Sequence, residues 1–343
     1  MGAPPTWLPA ERWISMGIVA LLVLLATIFQ TSLAPGLRAD GDSGIVAPVG
    51  TPDDANPTPA PTAAGMVTVP SVRSTPVGGN AGEVATGPIL PDHRIIAYYG
   101  HPNSEAMGIL GLFSDKGELL AQLSDQARAY ERADPDRPVA MAFELIASVA
   151  QPEPGPDGTL LLYTDHDTIR EYVEFTQANG LLLILDIQIG RTSVAEEMAL
   201  IEEFLIEPNV HLAIDPEFAM EPDELPGDTI GSVDADDINH AQEELARIVE
   251  EHNLPPKVLI VHRFSDGMIS DADDINEFES VQFVLDFDGF GDPVSKQEGY
   301  GLYANQDSVE FTGIKLFYDK DQPLMQPEDV LELNPSPDFV MYQ

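Results

Sequence analysis

From residue 94 onward, short wholly apolar runs alternate with amphipathic ones, and this alternation predicts the elements. "RIIAYYG" (94–100), "VAMAFELI" (139–146), "LLLILDIQIG" (181–190), "VHLAIDPEF" (210–218), "KVLIVHRF" (257–264), "VQFVLDFDGFG" (281–291), "GIKLFYD" (313–319) and "DFVMYQ" (338–343) read as strands. "KGELLAQLSDQARAYERA" (116–133), "TIREYVEFTQANG" (168–180), "SVAEEMALIEEFL" (193–205) and "DINHAQEELARIVEEHNL" (237–254) read as helices. Gly180 stops the second helix, and Ser193 followed three residues later by Glu196 forms a capping box for the third. Less regular segments, read as short helices, fill the remaining connections.

The strands are continuous apolar runs rather than alternating ones, the pattern of parallel strands covered on both faces. Eight of them with crossover segments predict an α/β (β/α)8 barrel of the TIM type that ends at its eighth strand. A doubly wound open sheet is the rival, but no GxGxxG follows the first strand, and "GFG" at 289–291 lacks a third glycine.

The N-terminal 91 residues have a different texture. "WISMGIVALLVLLATIFQTSLA" carries no charge and is long enough to cross a bilayer, so residues 13–34 are expected to form a transmembrane anchor behind a short tail, 1–12. A cleaved signal peptide is the alternative, but Pro35 directly after Leu33-Ala34 is a poor cleavage context. Residues 35–91, with stretches such as "TPDDANPTPAPTAAG", cannot bury a core and are expected to be a disordered linker spanning on the order of 40 Å. The organisation expected is a single-pass membrane protein with an extracytoplasmic barrel over 92–343. Flanking charges say little about orientation.

Charge narrows the partners. With 58 acidic against 16 basic residues the chain carries a formal charge of −42, which opposes binding to nucleic acid or anionic lipid. The absence of cysteine excludes disulfides, thiolate nucleophiles and zinc–thiolate sites. "DADDIN" occurs at 234–239 and again at 271–276, but isoleucine stands where an EF-hand ligand belongs, so both copies read as acidic helix starts.

Candidate chemistry collects at the strand ends, where a (β/α)8 barrel places its active site. Strand one ends in Tyr98, Tyr99 and His101, and strand two carries Glu144. Strand three carries Asp186 and Gln188, strand four Asp215 and Glu217, and strand five His262 and Arg263. Strand six carries Asp286 and Asp288, strand seven Lys315, Tyr318 and Asp319, and strand eight ends in Tyr342 and Gln343. Period two puts Asp186 with Gln188, Asp215 with Glu217, and Asp286 with Asp288 on shared faces. Such a ring suits glycoside hydrolysis, which needs a protonated and an ionised carboxyl side by side. Glu217, outermost on its strand, is the choice for general acid. Asp215 or Glu144 is the partner carboxylate, and Asp286 is a third option. Tyr99, His101, Asp186, Gln188, His262, Asp288, Lys315, Tyr318 and Gln343 are candidates for binding substrate, and Phe218, Phe287 and Phe290 are further candidates for stacking on sugar rings. No HxH, HExxH or GxSxG is present, so no metal, cofactor or serine nucleophile is assigned. A non-catalytic glycan binder and a metal-dependent hydrolase are the alternatives.

Taken together, "AYYGHP", "AFELIASVAQ", "LLLILDIQIGR", "HLAIDPEF", "TIGSVDA", "VLIVHRF", "DGFG" and "GIKLFYDKD" resemble a family of uncharacterised, exported bacterial proteins predicted to be glycoside-hydrolase-like barrels. The resemblance covers residues 94–343. It implies the barrel fold, export and a carbohydrate or cell-envelope glycan as partner, and it carries no activity. Phe218 stands where that family usually has tryptophan. "DPE" at 215–217 also matches the minimal "DxE" of chitinase-like and lysozyme-like barrels, at the level of fold only.

Overall fold

The computed structural model describes residues 87–155, 157–305 and 309–343. The expected anchor and nearly all of the expected linker lie outside the described residues. No helix among the described residues is long and apolar enough to cross a membrane.

Eight parallel strands close on themselves. They are β1 (Arg94–Gly100), β2 (Val139–Ala150), β3 (Leu182–Gly190), β4 (Val210–Ala219), β5 (Lys257–Arg263), β6 (Val281–Phe287), β7 (Phe311–Leu316) and β8 (Phe339–Tyr342). Each pairs with its neighbour in chain order, and β8 pairs back to β1, which makes the sheet a closed (β/α)8-type barrel. Closure leaves every strand buried on both faces, which is why the runs are apolar throughout. Period two then splits each run between two cores. Ile95, Ala97, Ile184, Ala213, Ile260 and Met341 fill the barrel, while Ile96, Leu183, Leu212, Val261 and Val340 face the helical layer.

The α-helices among the described residues are α1 (Lys116–Ala133), α2 (His166–Asn179), α3 (Val194–Leu205), α4 (Ala235–His252), α5 (Pro293–Tyr303) and the single-turn α6 (Pro327–Leu331). Their starts follow side-chain caps. Asp165 accepts from Thr168 N at 2.9 Å, so α2 begins two residues earlier than the apolar period alone suggested. Gly180 closes that helix with φ 67°, as expected. Ser193 caps α3 through Glu196 N at 3.2 Å, and the Glu196 carboxylate accepts from the Ser193 hydroxyl at 3.0 Å instead of reaching the cap's backbone. The first "DADDIN" forms a full capping box between Asp234 and Asp237 at the head of α4. The second does not begin an α-helix. Asp271 sits at φ 53° and only a 3-10 turn over Ala272–Asp274 follows, so the fifth crossover has no α-helix among its residues. The two copies are neighbours, since Asn239 accepts from Asn276 N at 2.8 Å and donates to Asp274 O at 2.9 Å.

The end of the barrel opposite the carboxylates is plugged. Ile89 and Leu90 are buried, and the Gln282 side chain, inside the barrel, accepts from both of their amides at 2.8 and 3.1 Å. The folded unit therefore begins at least by Ile89, three residues before the expected boundary at 92. Lys257 is buried at the same end, donating to Glu207 O at 2.6 Å and Val210 O at 2.8 Å, and its burial pushes the ammonium down to about 7.

Two irregularities shape the opposite rim. β2 runs four residues past its expected end and bulges between Ile146 and Ser148, which lets it take up a short antiparallel strand, Leu161–Tyr163. On the next pair Gln188 matches Asp215, but Gly190 matches Ala219, so β4 carries two extra residues exactly across "DPE". Pro216 has no N–H to offer a ladder and suits such a bulge. Gly190 is required there by its φ of 57° and because a Cβ would meet Thr159 O at 2.3 Å.

Candidate active site

The strand ends bring six carboxyl groups and two cations together inside the barrel. Glu144, Asp186, His262 and Asp286 have no exposure at all, while Asp215 and Lys315 are each 4 % exposed, Asp288 8 % and Glu217 9 %. The set is graded in depth, with Glu217 and Asp288 nearest the mouth. Nine of the candidate residues from the sequence fall within it: these eight and Tyr99.

His262 lies at the centre. Its Nδ1 is 3.1 Å from Asp286 Oδ2 and its Nε2 is 3.0 Å from Glu144 Oε1. Asp186 Oδ1 and Asp288 Oδ2 each lie 4.0 Å from a ring nitrogen. Burial opposes a charged imidazole, but the hydrogen bonds to Asp286 and Glu144 outweigh it and hold His262 protonated well above its usual range. An imidazolium can donate from both nitrogens at once, as this geometry asks. Tyr99 donates to Asp186 Oδ2 at 3.0 Å, and Lys315 Nζ lies 3.8 Å above the Tyr99 ring and 3.9 Å from Asp288 Oδ2.

Six carboxyls against two cations leave four acids in excess, and four acids are pushed up. Burial raises Asp186 to about 8 against the pull of His262, with Asp215 and Glu144 adding to it. Burial raises Asp215 to about 6, again against His262, with Asp288 adding. Burial, then Asp215 and Asp288, hold Glu217 well above the usual carboxylate range. Asp288 is raised by burial despite Lys315 and His262. Burial and the neighbouring acids favour the protonated form of Glu217, while Asp215, at about 6, ionises close to neutrality. The bulge places this acid and this base two residues apart, and Glu217 N donates to Asp215 Oδ1 at 3.1 Å, fixing one against the other.

Gly313 makes room for the centre. A Cβ on it would lie 2.6 Å from Asp286 Oδ1 and 3.0 Å from Phe339 Cδ1. Gly313→Ala is expected to displace Asp286 from His262 and cost about 1–3 kcal/mol in urea denaturation. An unchanged midpoint would mean that Asp286 and Phe339 step aside freely.

The remaining candidates stand apart from the ring. His101 belongs to the loop after β1, where its Nδ1 accepts from Asn103 N at 3.1 Å and its Nε2 faces Thr164 Oγ1 at 3.2 Å. Gln188 is buried, but its side-chain amide oxygen Oε1 accepts from Ala150 N at 2.7 Å and so completes the end of β2. Tyr318 stacks on Tyr342 at 5.4 Å, and Tyr98 meets Tyr342 edge-on, so these tyrosines form a cluster between barrel and α1. Phe287 packs outward on Tyr303. Gln343 closes the β8 register, its amide donating to Leu316 O at 2.8 Å. Of the aromatics, Phe218 and Phe290 are half-buried at the strand ends, and Phe290 packs edge-on against Phe317. Lys320, with its Nζ 5.1 Å over the Phe290 ring, is a mouth residue that the strand pattern did not single out, because it lies four residues beyond the end of β7.

No family model matches the chain, and no curated protein matches it in sequence. Among solved structures, it is similar to a beta-mannanase from a symbiotic protist of the termite Reticulitermes speratus, complexed with gluco-manno-oligosaccharide. That match has 12 % identity, covers 73 % of this chain and 79 % of the mannanase, and has a TM-score of 0.39. A ruminal GH26 endo-beta-1,4-mannanase is similar at 9 % identity over 78 % of this chain and 66 % of its own, with a TM-score of 0.36. The barrel architecture of this chain is given by its own strand pairing, a closed ring of eight parallel strands with the acids gathered at one end.

Proposed function

We propose that the barrel is a glycoside hydrolase acting on an extracytoplasmic glycan, with Glu217 as general acid and Asp215 as its ionised partner. The observation that carries this reading is the pairing on β4 of two nearly buried acids at the mouth of the ring, with Glu217 N bonded to Asp215 Oδ1 and burial raising Asp215 to about 6 and Glu217 well above its usual range. Two carboxyls separated by environment in this way are the means by which glycosidases protonate one oxygen while stabilising positive charge beside it. Glu217 passes its proton to the glycosidic oxygen as the bond to the anomeric carbon breaks. If Asp215 attacks the anomeric carbon as nucleophile, Glu217 then takes a proton from the water that releases the sugar; if Asp215 acts as base, it takes that proton from the attacking water and both groups re-equilibrate with solvent.

Glu144 and Asp286 are held to His262 at zero exposure, which suits them to setting the field around the reacting pair rather than to meeting the sugar. Asp288 and Lys315, nearer the mouth, are placed to take sugar hydroxyls. The apolar segment 13–34 and the Pro-rich stretch behind it support placing the domain outside the membrane on a tether.

The test is a pH profile of kcat/KM on a panel of aryl glycosides and oligosaccharides. Asp215 must be ionised and Glu217 protonated, so the rate is expected to climb through about pH 6 and to fall again at higher pH as Glu217 loses its proton. A profile flat through pH 6 removes Asp215 from the chemistry. Saturable glycan binding with no turnover at any pH replaces the hydrolase with a binding protein.

A further inference from the structure

We infer that Glu144, Asp186 and His262 form a binding site for one divalent transition-metal ion, deeper in the barrel than the acid pair on β4. One ligand atom from each lies within 4.8 Å of the others, and all three residues are fully buried. Ligands about 2.1 Å from a common ion sit about 3–4 Å from one another, so the triangle needs to draw in only slightly.

A second observation concerns the same acids, and Asp186 Oδ1 lies 4.0 Å from His262 Nε2. Glu144 Oε2 and Asp186 Oδ1 are buried with no hydrogen-bond partner among the described residues. Buried carboxylate oxygens without a donor are costly, and an ion between them removes that cost. The other atom of each group is engaged. Glu144 Oε1 faces His262, and Asp186 Oδ2 accepts from Tyr99 at 3.0 Å.

The outer contacts match what a metal site requires. Asp286 Oδ2 lies 3.1 Å from His262 Nδ1, the carboxylate–histidine arrangement that fixes the tautomer with its Nε2 lone pair toward the ion. On binding, the proton on His262 Nε2 and the proton carried by Asp186 leave to solvent, and the metal takes their place. Exchanging the Nε2 proton for a divalent ion also adds one net positive charge to a ring with four acids in excess, matching the negative charge that Asp186 gains. One nitrogen and two oxygens favour Zn2+ or Mn2+ over Ca2+, which seeks six to eight oxygens. The inference goes beyond the glycan reading and does not depend on it.

The experiment strips the purified full chain with EDTA and titrates it with Zn2+, Mn2+ or Ca2+, reading stoichiometry by calorimetry and stability by thermal melting. One Zn2+ or Mn2+ per chain is expected to bind at least tenfold tighter than Ca2+ and to raise Tm. Asp186→Asn, close in shape, is expected to lose at least tenfold in affinity and the Tm shift. Glu118→Gln, at an exposed position on α1, should keep both and controls for the many surface acids. Anomalous scattering from metal-soaked wild-type crystals places the ion without any variant, so a poorly folded Asp186→Asn does not obscure the answer. Equal affinity in Asp186→Asn, an equal preference for Ca2+, or no anomalous peak among the three side chains overturns the site. Glu217→Gln should bind the metal normally, so loss of turnover and loss of metal are separable failures.

Discussion

His262→Ala, measured in urea with EDTA present, is expected to cost the fold about 3–5 kcal/mol, the largest stability effect of any single change in the ring. The imidazole touches both Glu144 and Asp286, at 3.0 and 3.1 Å, and all three side chains are out of contact with solvent. Its removal leaves two buried acids without their shared donor and opens a cavity between them. The first effect dominates, because the penalty for stranding a buried charge exceeds that of losing a few packed atoms. A domain of ordinary stability has about 5–15 kcal/mol to lose, so the variant should be folded but fragile, with its midpoint far to the left of wild type. His262→Gln separates the two causes. It refills most of the space and restores hydrogen-bonding capacity without a positive charge, so a cost close to that of alanine assigns the effect to charge. A loss under about 1 kcal/mol for His262→Ala would show that the acids are satisfied elsewhere, and the centre of the ring would have to be redrawn.

How much of this the sequence carried depends on which physical rule each residue obeys. The eight strands were legible because burial on both faces leaves an unmixed apolar run. Most of the ring was legible because period two holds as long as a strand lasts: Asp186, Asp215, Asp286 and Lys315 all lie on the inner face that it assigns. The misplaced candidates are those where that period had stopped. Tyr318 is three residues from Lys315, an odd step that turns it outward, and β7 ends at Leu316 before reaching it. His101 lies beyond Gly100, where the chain has already left the strand. Tyr98 and Tyr99 are adjacent, so only one of them could face inward, and the apolar run gave no way to choose. Other features rest on contacts between residues far apart in the chain. Gly313 is dictated by Asp286 across the sheet, and Ile89 and Leu90 are held by Gln282 from a segment whose composition reads as linker. The central role of His262 belongs here too. A lone histidine at a strand end gives no sign that two acids from other strands converge on it.

Glu217→Gln is expected to lower kcat by about 10²–10⁴, the range for removing a general acid, while glycan binding changes by no more than a few fold. The amide keeps the size and the polar atoms of the side chain but has no proton to give at the leaving oxygen. The split between kcat and binding is the informative quantity, because a residue that only held the sugar would raise KM and leave kcat alone. The leaving group sharpens the test. A glycoside whose aglycone departs without protonation, such as a dinitrophenyl glycoside, should be cleaved by Glu217→Gln at nearly the wild-type rate, whereas an oligosaccharide should not. The descending limb of the pH profile should vanish in the variant, since the group whose ionisation produces it has gone, and the limb near pH 6 set by Asp215 should remain. The bulge is what makes these expectations specific to Glu217 rather than to any acid of the ring. It turns the Glu217 backbone onto Asp215, carries its carboxyl furthest toward the mouth, and leaves Glu144 and Asp286 with His262 in the interior. Loss of activity on activated and natural substrates alike would instead place Glu217 in the support of the ring and move the proton donor to Asp288, the other acid at the mouth.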